Sequence, residues 1–149
     1  MMRQYQYLFG LDGKMDEDEK TAMQQVESEL GKLHAILDGT AKAASTPILG
    51  APASYWLDLS AQDPLKAAAG ITKPVLVLQG DRDYNVLPES AEKWQEALTG
   101  SKVVTVRHYP ALNHLMLAGT GKDDPLNLLT PRMVDATVIS DLASWVLAH

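Results

Sequence analysis

The chain alternates between stretches patterned for helices and two short runs patterned for strands. Val75-Leu-Val-Leu78 has no polar alternation, as expected of a strand buried on both faces of a parallel sheet. A second β-rich run, Val103 to Tyr109, predicts a strand over 102–108. Between them Pro88 opens a helix with Trp94, Ala97 and Leu98 on its inner face, and Gly100 closes it. Strand, helix and strand make a βαβ unit. Upstream, Asp63-Pro64 is an N-cap followed by proline at the first helical position, and the short helix from Leu65 to Ala69 stops at Gly70. A last helix, capped by Thr130-Pro131, is expected to run to about Leu147. Its buried stripe would be Val134, Val138, Leu142, Trp145 and Val146.

Before Pro47 the pattern is different. Met15 to Leu37 is rich in Glu, Lys, Gln, Ala and Leu, with Asp16, Glu17 and Asp18 where a helix N-terminus favours negative charge. Met23, Val26, Leu30, Leu33 and Leu37 recur in steps of three and four, which predicts one long helix with a single apolar stripe. Thr40 to Pro52 reads as an extended connector, and Tyr55-Trp56-Leu57 as an apolar anchor. The chain thus divides into a helical, cap-like segment over 1–46 and an α/β segment over 47–149. It has no internal repeat and no low-complexity tract.

Composition narrows the class. A chain of 149 residues with 46% hydrophobic content can bury a globular core. Its net charge of −6 and pI near 5.1 give no basic footprint, so no nucleic-acid partner is expected. The absence of cysteine excludes a disulfide scaffold and Cys-based zinc sites, and suits a reducing cytoplasm. No run approaches the roughly 18 apolar residues that span a bilayer, and no signal-peptide core is present. The expectation is a soluble cytoplasmic protein with no membrane partner.

The candidate chemistry sits just beyond the two strands. Gly80-Asp-Arg-Asp83 follows the first and His114 follows the second, and in open α/β sheets such positions share one crevice beyond the carboxyl ends of the strands. A carboxylate beside a histidine can fix the ring in one tautomer and stabilise the imidazolium formed when the base takes a proton from a nucleophile. Either residue alone would serve a structural role, Asp83 capping its turn or the following helix and His114 capping a loop. Their joint placement points to the acid and base of a triad. The third member is missing, since no Gly-x-Ser-x-Gly element and no cysteine occurs. None of the serines at 28, 45, 54, 60, 90, 101, 140 or 144 lies in a strand-to-helix elbow; Ser54 comes nearest.

Tyr55-Trp-Leu-Asp-Leu59, Gly80-Asp-Arg-Asp-Tyr-Asn-Val86 and Tyr109-Pro-Ala-Leu-Asn-His-Leu115 together resemble the C-terminal portion of a bacterial α/β-hydrolase of the serine esterase and peptidase-like group. In that family the acid follows the penultimate core strand in a Gly-x-x-Asp-x-x-Val pattern, matched here by Gly80, Asp83 and Val86. Its histidine follows the last strand, which carries over to His114, with Ala111 standing where glycine is common. The resemblance covers essentially the whole chain but less than half of the family's fold. It implies a nucleophile elbow and oxyanion-hole donors upstream, in sequence this chain does not contain.

Three other patterns suggest a different chemistry. Asp81-x-Asp83-x-Asn85 with Glu92 at the twelfth position mimics a calcium-binding EF-hand loop, yet Val86 replaces the turn glycine and a strand precedes it. Gly119-Thr-Gly-Lys122 resembles part of a phosphate-binding loop, but the first glycine would fall on Met116 and Asp123 replaces Ser/Thr. His34, His108, His114 and His149 lack metal-ligand spacing, and His108, inside a strand, reads as structural. No metal or cofactor is expected.

The sequence therefore predicts an α/β chain of about two parallel strands with flanking helices, preceded by a long cap-like helix. Its function would be that of a partial serine α/β-hydrolase in which Asp83 orients His114 to hydrolyse a small acyl substrate. The alternative is a non-catalytic module that assembles with itself or binds a partner. The expected partner is either a further copy of the chain or the missing N-terminal hydrolase half.

Overall fold

The computed structural model describes residues 2–43, 45–98, 104–129 and 132–149. The described residues form two compact units, 1–63 and 64–149. These are units of compactness, whereas the division expected at 46/47 rests on composition and on the family resemblance.

The first unit contains α1 (Met2–Phe9), α2 (Glu17–Leu37) and α3 (Ala53–Ser60). The sequence pattern gave no sign of α1, which buries no residue. Asp16 starts α2 through a reciprocal capping box: its Oδ1 accepts the Glu19 N–H at 2.8 Å, and the Glu19 carboxylate accepts the Asp16 N–H at 3.0 Å. Of the expected stripe, Met23 and Leu33 are buried. Ile36 is buried as well and, with Leu33, Ile48 and Ala53, forms the unit's core, against which Leu37 packs at the edge. The segment expected to be an extended connector contributes directly to that core. It folds back in a tight turn, Ile48 bridging Ala51, with Leu49 and Gly50 at positive φ. Only Trp56 of the expected apolar anchor is held, its indole N–H donating to the Ile48 carbonyl at 2.8 Å; Tyr55 and Leu57 are exposed.

The second unit runs α4 (Pro64–Ala68), β1 (Val75–Gly80), α5 (Glu89–Ala97), β2 (Val104–Tyr109), a 3-10 turn (Pro125–Leu129) and α6 (Ala136–Ala148). β1 and β2 pair in parallel from Val75↔Val104 to Gly80↔Tyr109, with α5 as the crossover between them. The predicted strand residues Lys102 and Val103, the helix stop at Gly100 and the cap at Thr130-Pro131 lie outside the described residues. The inner face of α5 is Ala91 at its start and Leu98 just past its end, while Trp94 and Ala97 are half-buried.

Two expectations are corrected here. The residues from Val75 to Leu78 are half-buried, not buried on both faces, because the described residues supply only two strands and too few helices to cover them. The last helix starts later than expected, where Asp135 caps it by accepting the Thr137 N–H at 2.8 Å. Of its predicted buried stripe only Val138 is buried, packed with Tyr109 and Leu112; Val134, Leu142 and Val146 are exposed.

Alternation along β2 sets which side chains meet α6. Arg107 and Tyr109 share one face and both reach Asp141 of α6, the Tyr109 hydroxyl donating at 2.8 Å. Burial, reinforced by that bond, pushes the Tyr109 hydroxyl up to about 12. The same two donors, Arg107 foremost, hold the Asp141 carboxyl below its ordinary range. Asp141 in turn raises the Arg107 guanidinium. This side-chain link ties the middle of α6 to the end of β2.

Candidate active site

β1 ends at Gly80, and the chain turns at once, the Asp83 N–H donating to the Gly80 carbonyl at 3.1 Å. The turn is tied to the end of β2, with Asp81 N–H donating to the Tyr109 carbonyl at 3.0 Å and Arg82 N–H to the Leu112 carbonyl at 2.9 Å. Gly80 is needed for this close approach. A Cβ there would stand 2.6 Å from the carbonyl oxygens of both Leu112 and Asn113.

The approach brings the two predicted side chains together. Asp83 Oδ2 lies 2.7 Å from His114 Nδ1, across a separation of 31 residues in sequence. The carboxylate is almost fully buried, its side chain 6% exposed, while the imidazole is 46% exposed. The second oxygen, Oδ1, accepts the N–H groups of Asn85 and Val86, both at 2.8 Å. Two backbone donors thus occupy Oδ1, and since an ionised carboxylate offers acceptors only, the ring nitrogen that faces Oδ2 is the one placed to donate, Nδ1, which leaves Nε2 as the atom able to take up a proton. Among the described residues no group of three or more His, Asp or Glu converges as a metal site would require.

Asp81, the other acid of the turn, pairs elsewhere. Its Oδ1 lies 2.8 Å from Nδ1 of His108, which leaves β2 from the face opposite Arg107 and Tyr109. This second pair is exposed on both sides, at 37% for His108 and 31% for Asp81. The sequence marks His108 only as a structural strand residue, and nothing in the spacing signals its partner.

Three further residues of the two loops escaped the sequence reading: Arg82, Asn113 and Asp123. Asn113 and Asp123 are buried, and Arg82 is nearly so. The signal available was an arginine wedged between two acids and an asparagine next to the candidate base. Polar side chains in such places are either solvated or engaged with backbone. Met116 in the same loop adopts φ 57, a left-handed conformation uncommon for a side chain of its kind.

The sequence profile of the prolyl oligopeptidase family matches residues 46–129, a span that includes Gly80, Asp83 and His114. Over 100 residues the chain is 39% identical to the esterase EstD of Thermotoga maritima. That stretch is 67% of this chain and 24% of the esterase, so the chain matches about a quarter of the length of that curated relative. No solved structure matches. With a profile covering more than half of its residues, and with two parallel strands and flanking helices that form part of an α/β-hydrolase fold, the chain belongs to the prolyl oligopeptidase family.

Proposed function

We propose that this chain carries the acid and the base of a serine α/β-hydrolase, and that it takes part in hydrolysis of an ester or related acyl bond once joined to a nucleophile-bearing segment. The observation that carries the reading is the 2.7 Å contact between Asp83 and His114 beyond the carboxyl ends of paired parallel strands. His114 Nε2 takes the proton of an incoming serine hydroxyl as that oxygen attacks the acyl carbon, then returns it to the leaving group. Asp83 holds the ring in the Nδ1–H tautomer and stabilises the imidazolium between those steps. The nucleophile and the oxyanion donors come from sequence outside these 149 residues.

The partner is the nucleophile-bearing half or, in its absence, another copy of the chain. Leu142 and Val146, with Ile139 beside them, form an apolar stripe along exposed α6, and β1 pairs on one edge only among the described residues. A cytoplasmic location belongs to the same proposal and rests on the cysteine-free composition; among the described residues no helix is long and apolar enough to cross a membrane.

The reading is tested by fusing the chain behind the upstream part of the Thermotoga maritima esterase in place of that protein's matching segment. A folded chimaera is expected to hydrolyse activated short-chain esters and to lose that activity on His114→Ala. Activity indifferent to His114→Ala and Asp83→Asn would assign the chemistry to other residues.

A further inference from the structure

The loops that carry Asp83 and His114 hold a second polar cluster that the pair itself does not use. Asn113, next to His114 in sequence, is 1% exposed. Its Oδ1 accepts the N–H groups of Leu115 and Leu117, both at 3.0 Å, and its Nδ2 donates to Asp123 Oδ2 at 3.0 Å. The other oxygen of Asp123 lies 3.6 Å from Nη2 of Arg82. Arg82, next to Asp83, spreads its guanidinium over three carbonyls: Gly121 at 2.9 Å, Ala111 at 3.3 Å and Thr120 at 3.4 Å. The chain at Gly119 passes so close that a Cβ there would stand 2.7 Å from Arg82 Cζ.

Buried ion pairs of this kind contribute little net stability compared with apolar filling, because desolvation offsets the attraction. What the cluster supplies is a fixed distance between two loops. We propose that Arg82, Asp123 and Asn113 are positioning residues that set the contact between Asp83 and His114, a role that rests on reading that pair as the acid and base of a triad. Arg82 is one peptide unit from the acid and Asn113 one peptide unit from the base, so a shift of either moves one partner of the 2.7 Å bond. The planar fork of arginine suits the task, since it engages several acceptors from one rigid group.

The test reads the His114 ring by NMR in the full, nitrogen-15-labelled chain. The native protein is expected to show a strongly downfield Nδ1–H resonance and, in the neutral ring, an unprotonated Nε2. Arg82→Met and Gly119→Ala are expected to lose that resonance and to mix the two tautomers, while the β1 and β2 amide signals keep their positions. Arg82→Lys, which keeps the charge without the fork, falls between. In Asp123→Asn the amide accepts from only one of Asn113 and Arg82 and sets a donor against the other. Combined with Asn113→Asp it restores one donor and one acceptor, and the native ring signature is expected to return.

A cluster that merely held the fold would lower the melting temperature and leave the tautomer unchanged. Folded Arg82→Met and Gly119→Ala proteins with the native ring signature therefore overturn the proposal. If Arg82→Met does not fold, Gly119→Ala, which alters no residue of the network, decides alone. Absence of the downfield resonance in the native chain overturns the pairing itself, and this role with it; its presence in both native and variant proteins overturns only the positioning role.

Discussion

Gly80→Ala is the most exacting perturbation, because the added methyl group meets backbone and not a movable side chain. It would stand 2.6 Å from two carbonyl oxygens and 3.0 Å from the Leu112 carbonyl carbon. A carbon and a carbonyl oxygen in contact sit about 3.3–3.6 Å apart, so the chain at 112–113 must retreat by roughly 0.7 Å or more. Three bonds resist that movement: Arg82 N–H to the Leu112 carbonyl at 2.9 Å, Asn113 N–H to the Leu117 carbonyl at 3.1 Å, and Met116 N–H to the Asn113 carbonyl at 2.9 Å. Forcing a methylene into a packed interior costs about 1–3 kcal/mol. The stiffer unfolded chain of alanine returns about 0.4–1 kcal/mol. The net expectation is a loss of about 1–2 kcal/mol, which at a urea slope of about 1.5 kcal/mol/M lowers the unfolding midpoint by roughly 1 M. The same retreat drags His114 from Asp83. Urea titration followed by circular dichroism measures the first effect, and the His114 ring resonances measure the second. A Gly80→Ala protein whose midpoint and ring signals both match the native chain would refute this account of the turn.

Other outcomes are open to direct measurement. The chain by itself is expected to give no turnover of activated short-chain esters above buffer, since a base and its orienting acid form no acyl-enzyme without a positioned hydroxyl or thiol; turnover lost on His114→Ala would reveal a nucleophile within these residues. Stability is expected to decline at high pH, because the raised Tyr109 hydroxyl favours the fold fully below its ordinary value near 10 and loses that advantage as pH rises toward about 12. Tyr109→Phe removes this alkaline decline, and an unchanged pH profile in that variant would assign the decline elsewhere. The lowered Asp141 carboxyl works in the opposite sense, favouring the fold above its ordinary value of 3.8 and ceasing to do so as pH falls below it. Light scattering at micromolar concentration is expected to show self-association of the native chain that Leu142→Glu and Val146→Glu disperse; a monodisperse native mass near 16.2 kDa contradicts the docking role of α6.

The βαβ unit was legible because each of its signals is local: an apolar β-branched run, a Gly-Asp turn, and proline opening a helix. The juxtaposition of Asp83 and His114 was legible because parallel strands deliver their following loops to the same end of a sheet. Residues whose role depends on a specific distant partner were not. Arg82 and Asp123 are separated by 41 positions, and no periodicity links a guanidinium to the carbonyls of a loop beyond the next strand. The stripe on α6 shows the opposite limit. Its spacing identified an apolar face correctly, yet spacing does not say whether the covering surface lies within the chain, and here Leu142 and Val146 stay exposed. The spacing selects Leu37 and not its neighbour Ile36 because one residue's rotation along α2 is set by the turn at Ile48, which folds back onto the helix.

Residues 64–149 contain both strands, the acid, the base and every bond described between their loops. In the proposed assembly this makes half of the catalytic machinery a preorganised part, ordered before the nucleophile arrives. Docking would then cost little further entropy at the reacting groups, and most of the binding free energy would remain as affinity between the two pieces. A split hydrolase built on this division should therefore recover activity by simple mixing, and the concentration at which it does so would report the strength of the interface and not the difficulty of arranging its acid and base.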